Sequence, residues 1–364
     1  MKQRRAEKIA YLNHLCDGLG MDTITTGNFC AFAIEAFRLG RTDHAIAYGD
    51  AEGIAEPIRM IADRKGIKKI MAKTAGTDCI RFFISLALSS MLLAGICAAG
   101  TNNYDRTFTP AYLMKTRDWS DPSEIKRTWE AAIVCVPDGD SGVYETTMSE
   151  IETGKIPAGK KFPTVIYLHG CAGVWIGTYE RIDFLARSGF AVIAPVSFAR
   201  ENYPMSCDTR NHKGGLYRGT LTMRQYDAGH AIVSAKTLTW VDPDNVFLMG
   251  LSQGGITAAT FHSDDPRASV RARVVEGWTC HAGWDEYEGI NAPADEPVLT
   301  LVAEKDPWFQ NPWSKGNCKC FLNQKNGSQS IVYTSEILGR SHELMHDPEV
   351  RDTVLHFMRA FIRN

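Results

Sequence analysis

Residues Asn245-Val-Phe-Leu-Met-Gly-Leu-Ser252-Gln-Gly-Gly-Ile-Thr-Ala-Ala-Thr260 join a short apolar run to a helix-compatible run through a turn of small residues. Val246 to Met249 reads as a strand, and Gly250, Ser252 and Gly254 fit the pattern Gly-x-Ser-x-Gly. In that pattern a serine sits on a sharp strand-to-helix turn. Glycines two residues to either side let strand and helix approach closely, and the strained turn presents the serine oxygen to solvent. The helix that follows aims its free N–H groups at negative charge forming there. A Gly-Ser-Gly turn also arises by chance, so the reading depends on partners elsewhere in the chain.

Those partners lie among alternating strands and helices. Upstream, Ala131 to Val136 and Thr164 to Leu168 read as strands, the second ending at His169-Gly170. A helix over Tyr179 to Arg187 stops at Ser188-Gly189, Phe190 to Ala194 is the next strand, and a helix covers Met223 to Leu238. Downstream come strands at Ala272 to Glu276, Val298 to Val302 and Ser330 to Tyr333, then an amphipathic helix over Val350 to Ile362. This order predicts an α/β fold, a mostly parallel sheet with helices on both faces. Functional residues of such sheets gather at the carboxyl ends of strands.

Asp306 falls just past one such end, and His342 closes Gly339-Arg-Ser-His342 ahead of the last helix. Ser252, Asp306 and His342 therefore form a candidate catalytic triad in the chain order Ser, Asp, His. Neutral His342 takes the hydroxyl proton as Ser252 attacks a carbonyl, and Asp306 holds the imidazole in the right tautomer. The small residues of His169-Gly-Cys-Ala-Gly173 leave backbone N–H groups open, so the amides of Cys171 and Gln253 are the expected oxyanion hole. Asp285 is the alternative acid. His346, one helical turn beyond His342, is a surface residue or a partner behind the base. His281 and His262 read as loop and helix-surface residues, and Glu304 and Asp295 as solvated. The His169 side chain is expected to brace its loop, and the Cys171 thiol to pack.

His169-Gly-Cys-Ala-Gly173, Arg224-Gln-Tyr-Asp-Ala228, Gly250-Leu-Ser-Gln-Gly-Gly255, Asp306 and Gly339-Arg-Ser-His342 together resemble the α/β-hydrolase superfamily. The similarity is nearest to its dienelactone hydrolase-like branch and covers about residues 131–364. It implies an α/β-hydrolase fold and hydrolysis of a small-molecule ester, lactone or related acyl bond, with no metal or organic cofactor. Dienelactone hydrolases carry cysteine where this chain has Ser252, which favours a serine esterase. Ala303 stands where the family often has glycine. A prolyl-oligopeptidase-like peptidase is a near variant, weakened by the lack of a propeller. Tyr203, Trp278, Trp284, Trp308, Phe309 and Trp313, in loops near strand ends, are candidates to line an acyl pocket. A hydrolase-fold binding module without catalysis is the rival reading.

Composition narrows the field. Of 364 residues 44% are hydrophobic, enough for one large or two ordinary cores. A net charge of -2 gives no reason to expect a nucleic-acid partner. The ten histidines and ten cysteines form no strong metal spacing. Six cysteines follow Ala99, an even count that permits disulfides outside the cytoplasm. Cys207 with Cys280, or with Cys318 or Cys320, is the pairing guessed.

The region before residue 100 reads differently. Residues 1–78 are expected to be helical. Leu15-Cys-Asp17-Gly-Leu-Gly20-Met-Asp22, with Ala31-Phe-Ala-Ile-Glu35 and Tyr48-Gly-Asp-Ala-Glu52, resembles the aldehyde ferredoxin oxidoreductase family. There an Asp-x-x-Gly-Leu-Asp/Cys motif helps hold a tungsten- or molybdenum-bound pterin, and Asp17, Gly20 and Asp22 match it. The family's cysteine cluster, second pterin motif and large N-terminal domain have no counterpart, since Cys16 and Cys30 cannot hold a cluster alone. The segment reads as a stranded fragment, the alternative being a partial metallopterin oxidoreductase. Met71 to Ala99 has the positive start, apolar middle and small-residue end of a signal peptide. Residues 79–100 form that segment; 82–100 would otherwise serve as a membrane anchor, and a buried helix is the third reading. Either of the first two roles leaves a hydrolase domain, residues 101–364, in the periplasm or secreted.

Overall fold

The computed structural model describes residues 107–139 and 142–363, together with the single helical residue Ala55. The chain divides into two compact units, residues 1–99 and 100–364. The metallopterin-like motif and the signal-peptide or anchor segment lie outside the described residues.

Among its described residues the second unit holds eight strands: β1 (Ile133–Asp138), β2 (Gly142–Thr147), β3 (Phe162–Leu168), β4 (Ala191–Ala194), β5 (Val241–Leu251), β6 (Arg273–Glu276), β7 (Val298–Ala303) and β8 (Gln329–Tyr333). Its α-helices are α1 (Pro122–Glu130), α2 (Ile176–Arg187), α3 (Thr220–Ala235), α4 (Gln253–Thr260) and α5 (Pro348–Ala360). The strands form one sheet in the order β2-β1-β4-β3-β5-β6-β7-β8. β1 runs antiparallel to both its neighbours, and the other pairings are parallel.

The apolar runs seen in the sequence are strands because both faces of the sheet are covered. Along β3 the side chains alternate between two cores. Phe162, Ile166 and Leu168 pack with Ala228, Ile232 and Ala258 of α3 and α4. Val165 and Tyr167 pack with Ile182 and Leu185 of α2 and Val354 and Phe357 of α5. Each such aliphatic side chain contributes about 1.5–3 kcal/mol by leaving water, so a charge at Ile166 would break the sheet centre. Helix ends carry local signals. Asp121 caps α1 by accepting from Ser123 N–H, and Asp347 caps α5, each followed by proline.

Two elements were not foreseen, α1 and β2. β2 is a half-exposed edge strand of Gly142-Val-Tyr-Glu-Thr-Thr147, too polar to stand out. The helices α2 and α3 each begin three residues earlier than the sequence suggested.

After β3 the chain crosses to β4 on one side, and it later returns to place β5 on the other. The carboxyl ends of β3 and β5 therefore flank a point where the winding reverses. Loops diverge there and leave a crevice, the usual place for a ligand in an open parallel sheet.

Candidate active site

Ser252 stands at that reversal, between β5 and α4, with φ 56° and ψ −119°. A side chain at positive φ costs about 1–3 kcal/mol and persists only when its surroundings enforce it. The enforcement is visible. A Cβ on Gly250 would collide with the Gly254 carbonyl, and one on Gly254 with the Leu168 carbonyl of β3. The Ser252 N–H donates to the Glu276 carbonyl at 2.8 Å, tying the elbow to the end of β6. Strand, turn and helix are thus packed backbone against backbone, and the spacing of the glycines follows from this.

Asp306 follows β7 by three residues and is buried. Its Oδ1 accepts from Trp308 N–H at 3.0 Å, and its Oδ2 lies 2.7 Å from His342 Nδ1. A proton on Nδ1 is therefore shared with the carboxylate, which leaves the lone pair on Nε2. That nitrogen is buried and has no hydrogen-bond partner among the described residues. The imidazole lies over Gly277, where a Cβ would come within 3.2 Å of Cε1. Gly277 follows Glu276, the residue whose carbonyl holds Ser252. The adjacent strands β5, β6 and β7 so bring Ser252, His342 and Asp306 to one end of the sheet. Ser252 Oγ and His342 Nε2 are not hydrogen-bonded to each other here, and such contacts tighten when substrate binds. Asp285 and His346 are exposed. Glu304, Asp295 and His262 are exposed as well, and His281 packs against Phe321.

An ion-pair network that the sequence did not suggest holds the base loop. Arg181 of α2 donates to both oxygens of Glu276, at 2.9 and 2.7 Å, and both residues are buried. Glu276 Oε1 also accepts from the N–H groups of Leu344 and Met345, at 2.6 and 2.9 Å. These residues lie two and three positions after His342. Arg181 reaches Glu343 as well, at 3.0 Å. Burial pushes the Glu276 carboxyl up, but the Arg181 charge and the amide donors outweigh it and hold its pKa below the usual glutamate value.

On the β3 side, Cys171 and Gln253 both border the crevice. The His169 side chain braces this loop as expected. Its Nδ1 bonds the Gly170 carbonyl at 2.8 Å and its Nε2 accepts from Ser197 N–H at 3.2 Å. Burial and then the nearby Arg224 charge push the ring's pKa down to about 3, so it stays neutral. Buried Arg224 links the two halves, donating to the His169 carbonyl at 2.5 Å and to Gln253 Oε1 at 3.2 Å. Ser206 Oγ donates to the same Gln253 oxygen at 3.2 Å.

The guessed cysteine pairing is corrected. Cys171 bonds Cys207, and Cys280 bonds Cys318, while Cys135 is buried and free and Cys320 exposed and free. The reason is the strand order. Cys171 and Cys207 lie beyond β3 and β4, and Cys280 and Cys318 beyond β6 and β7, so each bridge joins loops of neighbouring strands.

A pocket partly open to solvent adjoins Ser252. Trp278, Trp284, Trp308, Phe309 and Trp313 line it, as the sequence suggested. Tyr203 does not. It is buried in a separate cluster with Phe198 and Met223. Asp17, Gly20 and Asp22 lie outside the described residues, among which no group of three His, Cys, Asp or Glu is placed to hold a metal ion.

This sheet, its reversal and the serine elbow define an α/β-hydrolase fold. The chain belongs to the dienelactone hydrolase family, whose model matches residues 153–334. Residues 2–77 match a second model, aldehyde ferredoxin oxidoreductase, domains 2 and 3. Over 72 residues the chain is 39% identical to an aliphatic sulfonate oxidoreductase, WOR-like subunit, of Pyrococcus furiosus, covering 18% of this chain and 12% of that relative. The chain thus spans about an eighth of the curated relative it matches. Among solved structures, it resembles a dienelactone hydrolase-like promiscuous phosphotriesterase from metagenomic libraries. That match has 16% identity and a TM-score of 0.41, over 63% of this chain and 97% of the other. It also resembles a hyperthermophilic esterase from the archaeon Pyrobaculum calidifontis, with 16% identity and a TM-score of 0.39, over 68% and 94%.

Proposed function

We propose that this chain is a serine hydrolase that cleaves a carboxylic ester or lactone through an acyl-enzyme. The observation that carries this is the short Asp306–His342 bond, with the far imidazole nitrogen unpartnered and buried beside the strand end that holds Ser252. Ser252 Oγ attacks the carbonyl carbon as His342 Nε2 takes its proton, and Asp306 stabilises the imidazolium. The oxyanion of the tetrahedral intermediate meets the N–H groups of Cys171 and Gln253, at the start of α4. His342 returns the proton to the departing alkoxide as the intermediate collapses. Water, deprotonated by the same nitrogen, then releases the acid and restores Ser252.

The test compares wild type with Ser252→Ala on short-chain p-nitrophenyl esters, alongside labelling by a fluorophosphonate. Activity and labelling vanish together in the variant if Ser252 is the nucleophile. Equal turnover in both proteins, or no labelling of either, would return the chain to the binding-module reading.

The hydrolase domain is further proposed to work outside the cytoplasm, exported or anchored through residues 82–100. Two disulfides support this, since such bonds persist in oxidising compartments. Among the described residues no helix is long and apolar enough to cross a membrane. Cell fractionation with N-terminal sequencing of the mature chain tests it. A reduced, cytoplasmic product starting at Met1 would overturn it.

A further inference from the structure

The pocket beside Ser252 has a chemical character that the family assignment does not supply. Among the described residues, no Asp, Glu, Lys, Arg or His side chain lines it. Its walls are ring pairs. Trp284 and Trp313 stand 6.3 Å apart at 52°, and Trp278 and Phe309 stand 5.4 Å apart at 70°. Trp308 closes the side toward the base, its ring 5.2 Å from His342.

Two arginines near these walls are engaged with other groups. Arg218 sits over the Trp284 ring at 5.2 Å and pairs with Glu286. Arg224 is fully buried and outside the lining, its two Nη groups donating to the His169 carbonyl and Gln253 Oε1 while its Nε has no partner among the described residues. A substrate carboxylate entering this pocket would lose its water and meet no cation, which is costly. The space itself is maintained by the fold. Gly215, with φ +70°, lies so close to Trp284 that a Cβ would strike its ring. The Cys280–Cys318 bridge anchors the loop that follows Trp278.

We infer that the substrate is an uncharged aryl ester, its ring held among Trp278, Trp284 and Trp313, and that esters bearing a free carboxylate on that ring are rejected. Aromatic rings meet one another edge to face or offset, with their centres 4.5–7 Å apart, and gain beyond what area alone provides. A flat aromatic group therefore fits these walls better than a saturated ring of the same size. The inference rests on the serine hydrolase reading for turnover, but the binding it predicts does not depend on that reading.

The experiment uses the full chain with Ser252→Ala and follows tryptophan fluorescence during titration with three matched esters: phenyl acetate, cyclohexyl acetate and 4-carboxyphenyl acetate. Phenyl acetate is expected to bind about threefold to tenfold tighter than cyclohexyl acetate, against their order of hydrophobicity. 4-Carboxyphenyl acetate is expected to bind at least about tenfold more weakly than phenyl acetate. Trp284→Ala should erase the aromatic preference and Trp284→Phe should keep most of it, so a misfolded alanine variant leaves the phenylalanine one to decide. Equal binding of all three esters, tighter binding of the carboxylate, or no binding of any overturns the inference. If the predicted order holds in Ser252→Ala while wild type turns over none of the esters, the catalytic reading fails and the substrate class stands.

Discussion

Lowering the pH from 7 to 5 should destabilise this protein through one buried residue. His169 is fully buried, and burial together with the Arg224 charge holds its pKa at about 3, against 6.5 for a free imidazole. Because the folded-state value is depressed, the stabilisation is complete above the unfolded pKa. It declines as the pH falls below about 6.5, where only the unfolded chain takes up the proton, until the folded pKa is reached. Linkage between those two pKa values gives a loss of about 2 kcal/mol between pH 7 and pH 5. For a domain of this size that lowers Tm by about 4–8 °C. The assay is urea unfolding of wild type and His169→Gln at both pH values. Glutamine offers an oxygen near the position of Nε2 and does not titrate. The variant starts less stable, but its loss between pH 7 and pH 5 should be smaller by about the same 2 kcal/mol. Equal losses in the two proteins would refute the reasoning, because every other histidine is common to both.

Two further outcomes follow from the same geometry. Glu276→Gln removes the charge opposite buried Arg181 and weakens the hold on Leu344 and Met345, so stability should fall by about 3–5 kcal/mol and kcat with it. A change in urea unfolding below about 1 kcal/mol would show that Glu343 alone suffices as the partner of Arg181. Cys207→Ser opens the Cys171–Cys207 bridge, which spans 36 residues and is worth about 4 kcal/mol on chain entropy. Because Cys171 supplies a proposed oxyanion donor, kcat should drop more than KM rises, and unchanged kinetics would separate the bridge from the chemistry.

The elbow was legible because its geometry is local. Gly250 and Gly254 sit two residues either side of Ser252, and each is needed where a Cβ would meet backbone. The candidate acid and base were picked out for a related reason. Asp306 and His342 follow apolar strand signals, and parallel sheets gather such positions at one end. Most strands were read within two or three residues because burial on both faces gives unbroken apolar runs. The edge strand β2 escaped because it is half exposed.

Chain order and short-range pattern thus suffice for the sheet, the serine turn and the candidate triad, since each depends on residues close in sequence or on one rule of sheet topology. Other features depend on which strands become neighbours. The order β2-β1-β4-β3-β5-β6-β7-β8 decides that Cys171 meets Cys207 and Cys280 meets Cys318. Packing of α2 across the sheet decides that Arg181 meets Glu276, 95 residues away, behind the base loop. It also separates Tyr203 from the aromatic wall, although both lie in loops near strand ends. A cysteine, an arginine or a tyrosine carries no local mark of its partner, because burial and pairing at such distances are set by the packed whole.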